Sequence, residues 1–326
     1  MKNKILIVGN AVTDVNIIES LKEQFDVVVI ESHELKKTLN EQKSFIALWI
    51  HLDTFLDESF LDQITKIPFL ISTTTGLTHI ANTIQNFYGP SLISLRNRRV
   101  FLSKISTTAE HTWMLIMLWN NNIHKAFNSV VNGTWSRSDF FREKQLAGQT
   151  LGIIGYGRLG KMVASYGLAF KMHVIIFEIE AKVISEAKNE NLEVVECLGE
   201  LFAKSNIVSI HASYTSGTLP IITAEVLCNI NKPLLLVNTA RAGLVDEEAI
   251  IKEVSERPYL SYFTDVLKCE EDGNELQYSK LWKYSSEGDR VKITPHIGGA
   301  NLEAAQLCEK ELLNDFLQKL HSYSIE

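Results

Sequence analysis

Little in this sequence ties the chain to a special environment. Its four cysteines (Cys197, Cys228, Cys269 and Cys308) are scattered, with no C-x-x-C pair. They suggest neither a disulfide framework nor a zinc site, so no metal is expected, and reduced thiols in a cytoplasmic protein fit best. Long apolar runs are missing too. The opening MKNKILIVGN has only a brief apolar stretch before Gly9, too short for a signal-peptide core. The greasiest window, Trp113 to Trp119 (WMLIMLW), falls far short of a membrane span. Basic clusters are equally scarce. The net charge is −7, and the densest spot, Arg96-Asn97-Arg98-Arg99, reads as a solvated turn. No nucleic-acid partner and no membrane partner are expected.

What is present is an ordinary globular composition, 45% hydrophobic and 22% charged. A chain of 326 residues exceeds the size at which single cores stop growing, which implies two domains. Residues 4–8, 26–30, 45–49 and 69–72 read as strands, with helices over 15–23 and over 55–67 up to Pro68. Strands alternating with helical patterns imply a parallel α/β sheet. Thr73-Thr74-Thr75-Gly76-Leu77 then follows the fourth strand: either a plain turn or a ligand turn at a strand's carboxyl end. From Thr107 to Ala126 the pattern predicts one long helix, its threonines capping the start and Glu110 at the acid position of a capping box. Its apolar residues cover more than one face, which implies burial between domains or subunits. Asn132 to Lys144 reads as an exposed loop carrying Trp135, Phe140 and Phe141.

The most informative stretch is Leu151 to Gly160, LGIIGYGRLG. An apolar strand runs into Gly155-x-Gly157-x-x-Gly160, and a helical segment follows, the context in which this spacing carries meaning. Gly155 permits the tight turn, Gly157 lets backbone N–H groups approach a pyrophosphate, and Gly160 allows close helix–strand packing. The positive helix end favours the phosphate charge. A second strand, His173 to Phe177, ends on Glu178, the place of the acid that holds the ribose hydroxyls of NAD. Together these predict a dinucleotide site. Further strands are expected over 193–196, 207–211, 233–238, 262–266 and 291–294, and an amphipathic helix over 302–320.

Three groups lie at or beyond strand ends in this second block. Arg241 follows Val237-Asn238-Thr239-Ala240, well placed to hold a carboxylate, or equally to pair with an acid of the next helix. Asp265 ends the next strand, with Cys269-Glu270-Glu271 a few residues on. His296 lies in Thr294-Pro295-His296-Ile297-Gly298-Gly299. Histidine suits proton transfer near neutral pH, and a carboxylate bonded to it would orient the ring. These are the parts for hydride transfer to a keto acid, although spacing alone does not bring them together.

With these motifs in order, the chain resembles the NAD-dependent D-isomer-specific 2-hydroxyacid dehydrogenases over nearly its whole length. The likeness rests on the glycine fingerprint, NTARAGLVDEEAI, TDV with an acid five residues beyond its aspartate, TPHIGG, TTTGLTHI and TTAEHT. The resemblance implies an α/β enzyme of two domains. A Rossmann-type NAD domain over 102–298 would be inserted into a flavodoxin-like substrate domain, 1–101 plus 299–326. It implies that Arg241 binds the substrate carboxylate and polarises the carbonyl, that His296 is the acid/base, and that Glu270 pairs with it. Backbone N–H groups at Thr75 and Gly76 would receive the same carboxylate. Cofactor contacts would fall on Gly155, Gly157, Arg158, Leu159, Gly160, Glu178, Ala212, Ser213, Thr218, Thr239, Ala240 and Asp265. A homodimer interface would use the Thr107 helix and the loop through Trp135.

The chain departs from the family pattern at four places. Ala242 stands where glycine usually follows the arginine, Ser213 where a proline is usual, Ala81 where an aspartate follows the GLTHI-type turn, and Glu178-Ile179 where aspartate-proline is usual. A carboxylate at Glu178 still favours NAD over NADP, since it repels a 2′-phosphate. A rival reading is a dinucleotide-sensing binding protein on the same scaffold, like the corepressors that resemble these enzymes. A formate-type dehydrogenase is disfavoured because that group has glutamine at the place of Glu270. With the chain ending at Glu326, no added regulatory domain is expected.

Overall fold

The computed structural model describes residues 2–323, apart from 43, 142–143, 215–217, 229, 272–274 and 287. Arg142 and Glu143 of the expected loop thus lie outside the described residues. The chain divides into two compact units, residues 1–105 with 300–326 and residues 106–299.

The first unit holds five parallel strands: β1 (Lys4–Val8), β2 (Asp26–Ile30), β3 (Phe45–Ile50), β4 (Phe69–Ser72) and β5 (Leu92–Ser94). Their order is β2-β1-β3-β4-β5, the flavodoxin-like arrangement. The inner strands are buried almost end to end, as expected where helices cover both faces of a parallel sheet. On one face lie the Val15–Gln24 helix and the C-terminal helix Leu302–Tyr323, meeting the sheet through Ile17, Leu21, Leu312 and Phe316. Phe316 packs edge-on against Phe69 with ring centres 5.5 Å apart. The buried Glu309 of the same helix accepts the N–H groups of Thr13 (2.8 Å) and Asp14 (2.9 Å) and the Thr13 hydroxyl. The helix expected over 55–67 is much shorter. Leu56 is extended and bridges Ile80, Asp57 accepts the Ser59 N–H, and only a 3₁₀ turn (Glu58–Phe60) and Leu61–Ile64 are helical.

The second unit is a seven-stranded parallel sheet: β6 (Thr150–Ile154), β7 (His173–Phe177), β8 (Glu193–Val194), β9 (Ile207–Ile210), β10 (Leu234–Asn238), β11 (Leu260–Thr264) and β12 (Val291–Ile293). The order β12-β11-β10-β9-β6-β7-β8 is of the Rossmann type and reverses direction between β6 and β9. β11 stops at Thr264 rather than Val266, because the Thr264 hydroxyl exchanges hydrogen bonds with the Val266 backbone and closes a turn. The expected long helix is two, Thr107–Asn121 and Ile123–Val131, divided at Asn122 in the left-handed region (φ 49°). Asparagine tolerates that conformation better than most residues. Nor do the threonines cap it. Ser106 is the N-cap residue, its hydroxyl donating to Glu110, and Thr107 and Thr108 lie in the first turn. Ala109, Trp113, Leu115 and Ile116 are buried in this unit's own core, where Trp113 Nε1 donates to Val163 O of the Arg158–Ala169 helix (3.1 Å). Among the described residues, no helix is long and apolar enough to cross a membrane.

Candidate active site

The glycine turn after β6 sits where the strand order reverses, the place where open α/β sheets bind ligands. Gly155 has φ 89°, and a Cβ there would lie 2.7 Å from Ala212 N, so no other residue lets β6 and the end of β9 meet so closely. A Cβ on Gly160 would stand 2.1 Å from Gly155 O, within the turn itself. Gly157 differs. It is exposed, nothing lies within 4 Å of its missing Cβ, and it begins the Arg158–Ala169 helix with no side-chain cap. The turn is therefore packed from beneath and open above, at a helix start that favours anions. Arg158 and Leu159 occupy that first helical turn. Glu178, just past β7, folds back over it: Oε2 accepts the Tyr156 N–H (2.8 Å) and Oε1 those of Ile179 (2.7 Å) and Glu180 (3.1 Å). Ala212, Ser213 and Thr218 follow β9, and Thr239 and Ala240 follow β10. An open glycine cradle, an uncapped helix start and an acid at the next strand tip fit a dinucleotide.

Beside Ala212, the His211 ring accepts or donates one bond, Nε2 to Ser209 Oγ at 2.8 Å, while Nδ1 is buried without a partner. Burial pushes the His211 imidazole down to about 3, so it is neutral at physiological pH.

The catalytic candidates follow three neighbouring strands, β10, β11 and β12. After β10, the fully buried Asn238 amide shapes the arginine turn, donating to Arg241 O (2.9 Å) and accepting from Ala240 N (3.0 Å). Arg241 itself is half-buried in extended backbone, with Nη1 donating to Ala240 O at 2.6 Å. The family's glycine at Ala242 is dispensable here, because Ala242 begins a 3₁₀ turn with its methyl buried. A Cβ on Gly243 would meet the Tyr214 ring at 2.4 Å, so a side chain there would require that ring to move. Beyond β11 and β12 the expected pair is made: His296 Nδ1 and Glu270 Oε1 are 2.6 Å apart.

Asp265 also braces the histidine turn. It is 2% exposed, and its carboxylate gathers the backbone of the histidine turn. Oδ1 accepts the Thr294 hydroxyl (2.5 Å) and the Ile297 N–H (2.9 Å), and Oδ2 accepts the Gly298 N–H (2.7 Å). Burial alone would raise its pKa, but the hydrogen bonds from His111, Thr294, Gly298 and Ile297 outweigh it and lower the carboxyl below its ordinary value. His111 Nε2 completes the cluster, 3.2 Å from Asp265 Oδ1 and 2.9 Å from Thr294 Oγ1. One residue on, Thr112 Oγ1 lies 2.7 Å from Thr239 Oγ1 at the end of β10.

His111, Thr112 and Thr294 were not singled out by sequence reasoning. For the two helix residues a signal was available: Thr108, His111 and Thr112 are polar at i, i+3 and i+4, and so share one face.

In the first unit, Thr75 is exposed and Gly76 half-buried just beyond β4. The Thr74 hydroxyl donates to Gly76 O (2.7 Å) and is tied to Ser72, which in turn meets His79 Nε2 (3.2 Å). Thr75 and Gly76 thus sit on a turn braced from below. Ala81, where the family has aspartate, begins the Asn82–Tyr88 helix with no side-chain cap.

Residues 113–298 match the family described as D-isomer specific 2-hydroxyacid dehydrogenase, NAD binding domain. The hydroxypyruvate reductase of Thermotoga maritima is 32% identical over 214 residues, 66% of this chain and 66% of that protein, just short of two thirds of its length. The glyoxylate reductase of Thermofilum pendens is 28% identical over 88% of this chain and 83% of its own. Among solved structures, D-lactate dehydrogenase from Aquifex aeolicus, complexed with NAD and lactic acid, superposes with a TM-score of 0.78 at 22% identity. That match covers 97% of this chain and 96% of that one, a likeness of fold. The binding-only reading finds no support among these proteins.

Proposed function

The chain belongs to the D-isomer-specific 2-hydroxyacid dehydrogenase family, and on that premise we propose that it is an NAD-dependent oxidoreductase interconverting a small 2-keto acid and its D-2-hydroxy acid. The observation that carries this reading is the 2.6 Å His296–Glu270 pair on strand ends neighbouring the Arg241 turn, in the unit that holds the glycine cradle.

The bound nicotinamide supplies or accepts the hydride. Gly155, Gly157, Gly160 and the Arg158–Leu159 helix start hold the pyrophosphate, and Glu178 holds the adenosine ribose. Ala212, Ser213, Thr218, Thr239, Ala240 and Asp265 complete the cofactor contacts. Arg241 binds the substrate carboxylate in a forked pair and draws electron density from the carbonyl. Glu270 accepts from His296 Nδ1, which fixes the ring and leaves Nε2 as the atom that gives a proton to the developing alkoxide, or takes it in the reverse direction. A carboxylate at Glu178 sets NAD above NADP.

Residues 1–101 with 299–326 act as the substrate domain and 102–298 as the cofactor domain, in a cytoplasmic homodimer. Exposed Phe127 (69%), Val131 (84%), Trp135 (89%) and Phe141 (73%) in the second unit support the dimer, since so much apolar surface in one region marks an interface.

The test is NADH oxidation across glyoxylate, hydroxypyruvate, pyruvate, a longer 2-keto acid and a phosphorylated serine precursor, with Arg241→Ala as control. Turnover of one compound, lost in the variant, is expected. Silence across the panel with NADH still bound overturns the reading.

A further inference from the structure

We infer that His111 is a positioning residue for the His296 acid/base: its Nε2–H locks Thr294 and Asp265, and through them the turn that carries His296. The inference rests on the dehydrogenase reading above and concerns a residue 185 positions from His296 in sequence.

The argument begins with backbone. His296 has φ 53°, a left-handed conformation uncommon outside glycine, though histidine adopts it more readily than most residues. Such conformations are strained and persist only where neighbours over-determine them. Here the over-determination comes from Asp265, which takes the N–H groups of the two residues immediately after the histidine. The orientation of the imidazole toward Glu270 is therefore only as firm as the Asp265 carboxylate.

That carboxylate is in turn held from the Thr107–Asn121 helix. The direction of each hydrogen bond follows by elimination. An ionised Asp265 can only accept, so the Thr294 hydroxyl proton points at Oδ1. Thr294 Oγ1 then has only lone pairs to offer His111. Both neighbours of His111 Nε2, at 2.9 and 3.2 Å, are thus acceptors, and Nε2 must carry the proton, shared between them. His111 is 10% exposed at its side chain and Asp265 2%, so water cannot readily replace this donor. Gly298 adds a steric limit. A Cβ there would come within 2.8 Å of Asp265 Oδ2 and 3.6 Å of His111 Cδ2, so the cluster has no slack.

A donor is what the position requires, not an imidazole as such. His111→Leu removes the donor, while His111→Gln keeps an N–H near the same reach. Four readouts separate positioning from mere packing. His111→Leu is expected to lower kcat about 10–100-fold, the scale of a misplacement of about 1 Å, with KM and NADH affinity changed less than about twofold. His111→Gln is expected to restore most of that loss. In an Asp265→Asn background, His111→Leu is expected to cost nothing further, because residues acting through one another are non-additive. By hydrogen exchange, the Ile297 and Gly298 amides should lose protection in His111→Leu while β6 and β10 keep theirs.

Wild-type kcat or unchanged protection in His111→Leu overturns the inference. So does a glutamine variant no better than leucine, or a fully additive penalty in the Asp265→Asn background. If the wild-type enzyme reduces none of the keto acids, the dehydrogenase reading fails instead, and amide exchange still decides whether His111 holds the turn.

Discussion

Gly157→Ala and Gly160→Ala add the same methyl group three residues apart, yet the structure assigns them opposite consequences. At Gly160 the new carbon would stand 2.1 Å from Gly155 O, where real side chains keep at least 3.0 Å. The helix start or the turn must therefore move by about 0.9 Å. Overpacking of this kind costs about 1–3 kcal/mol, and the obstacle here is backbone rather than a flexible side chain. In a unit of this size each kcal/mol lowers Tm by about 2–4 °C, so a drop of about 2–12 °C is expected. At Gly157 nothing lies within 4 Å, and φ is −75°, open to any residue. Alanine is a poorer N-cap than glycine by less than about 1 kcal/mol, so Tm should fall by no more than about 4 °C. The methyl would instead fill the space through which a pyrophosphate reaches the backbone. NADH affinity should drop at least about tenfold, or about 1.4 kcal/mol. Thermal melts without cofactor, alongside NADH fluorescence titrations, read the two quantities separately. Wild-type NADH affinity in Gly157→Ala would refute the placement of the cofactor, and an unchanged melt in Gly160→Ala would refute the packing argument.

Other perturbations follow from the same structure. Glu178→Gln removes the charge that repels a 2′-phosphate and should raise NADPH use relative to NADH by about tenfold; equal use of both by the wild type would undo that argument. His211 is pushed down to about 3 by burial, against 6.5 for the ordinary group, so the unfolded chain binds a proton that the folded one refuses. Its contribution to stability is full above pH 6.5 and declines as pH falls toward 3, by at most about 1.4 kcal/mol per pH unit. Urea melts of His211→Asn should show a shallower loss between pH 6.5 and 4.5. Ala81 is the bare N-cap of a helix, and Ala81→Asp should stabilise the first unit by about 1 kcal/mol in a denaturant melt.

The sequence made the second unit legible because its fingerprint is dictated by backbone. Gly155 and Gly160 are needed by contacts at 2.7 and 2.1 Å, and no pattern of side chains could supply them. Strand ends were read less well where a side chain ends the strand: Thr264 closes its own turn two residues before the apolar run stops. The single long helix failed for a similar reason. Apolar residues continue across Asn122, and nothing in their spacing shows that this residue is left-handed. The site itself was legible as types of group but not as partners. A histidine and a glutamate 26 positions apart meet at 2.6 Å only because β11 and β12 are adjacent. Asp265 shows the limit of motif reading most clearly. Its place in TDV invites a cofactor role, but nothing in that motif shows that its carboxylate also gathers Thr294, Ile297, Gly298 and His111. Through these bonds it also bears on the backbone of the His296 turn. A polar face on a buried helix is then the feature to seek, because only a strand-end turn or a ligand can satisfy it there.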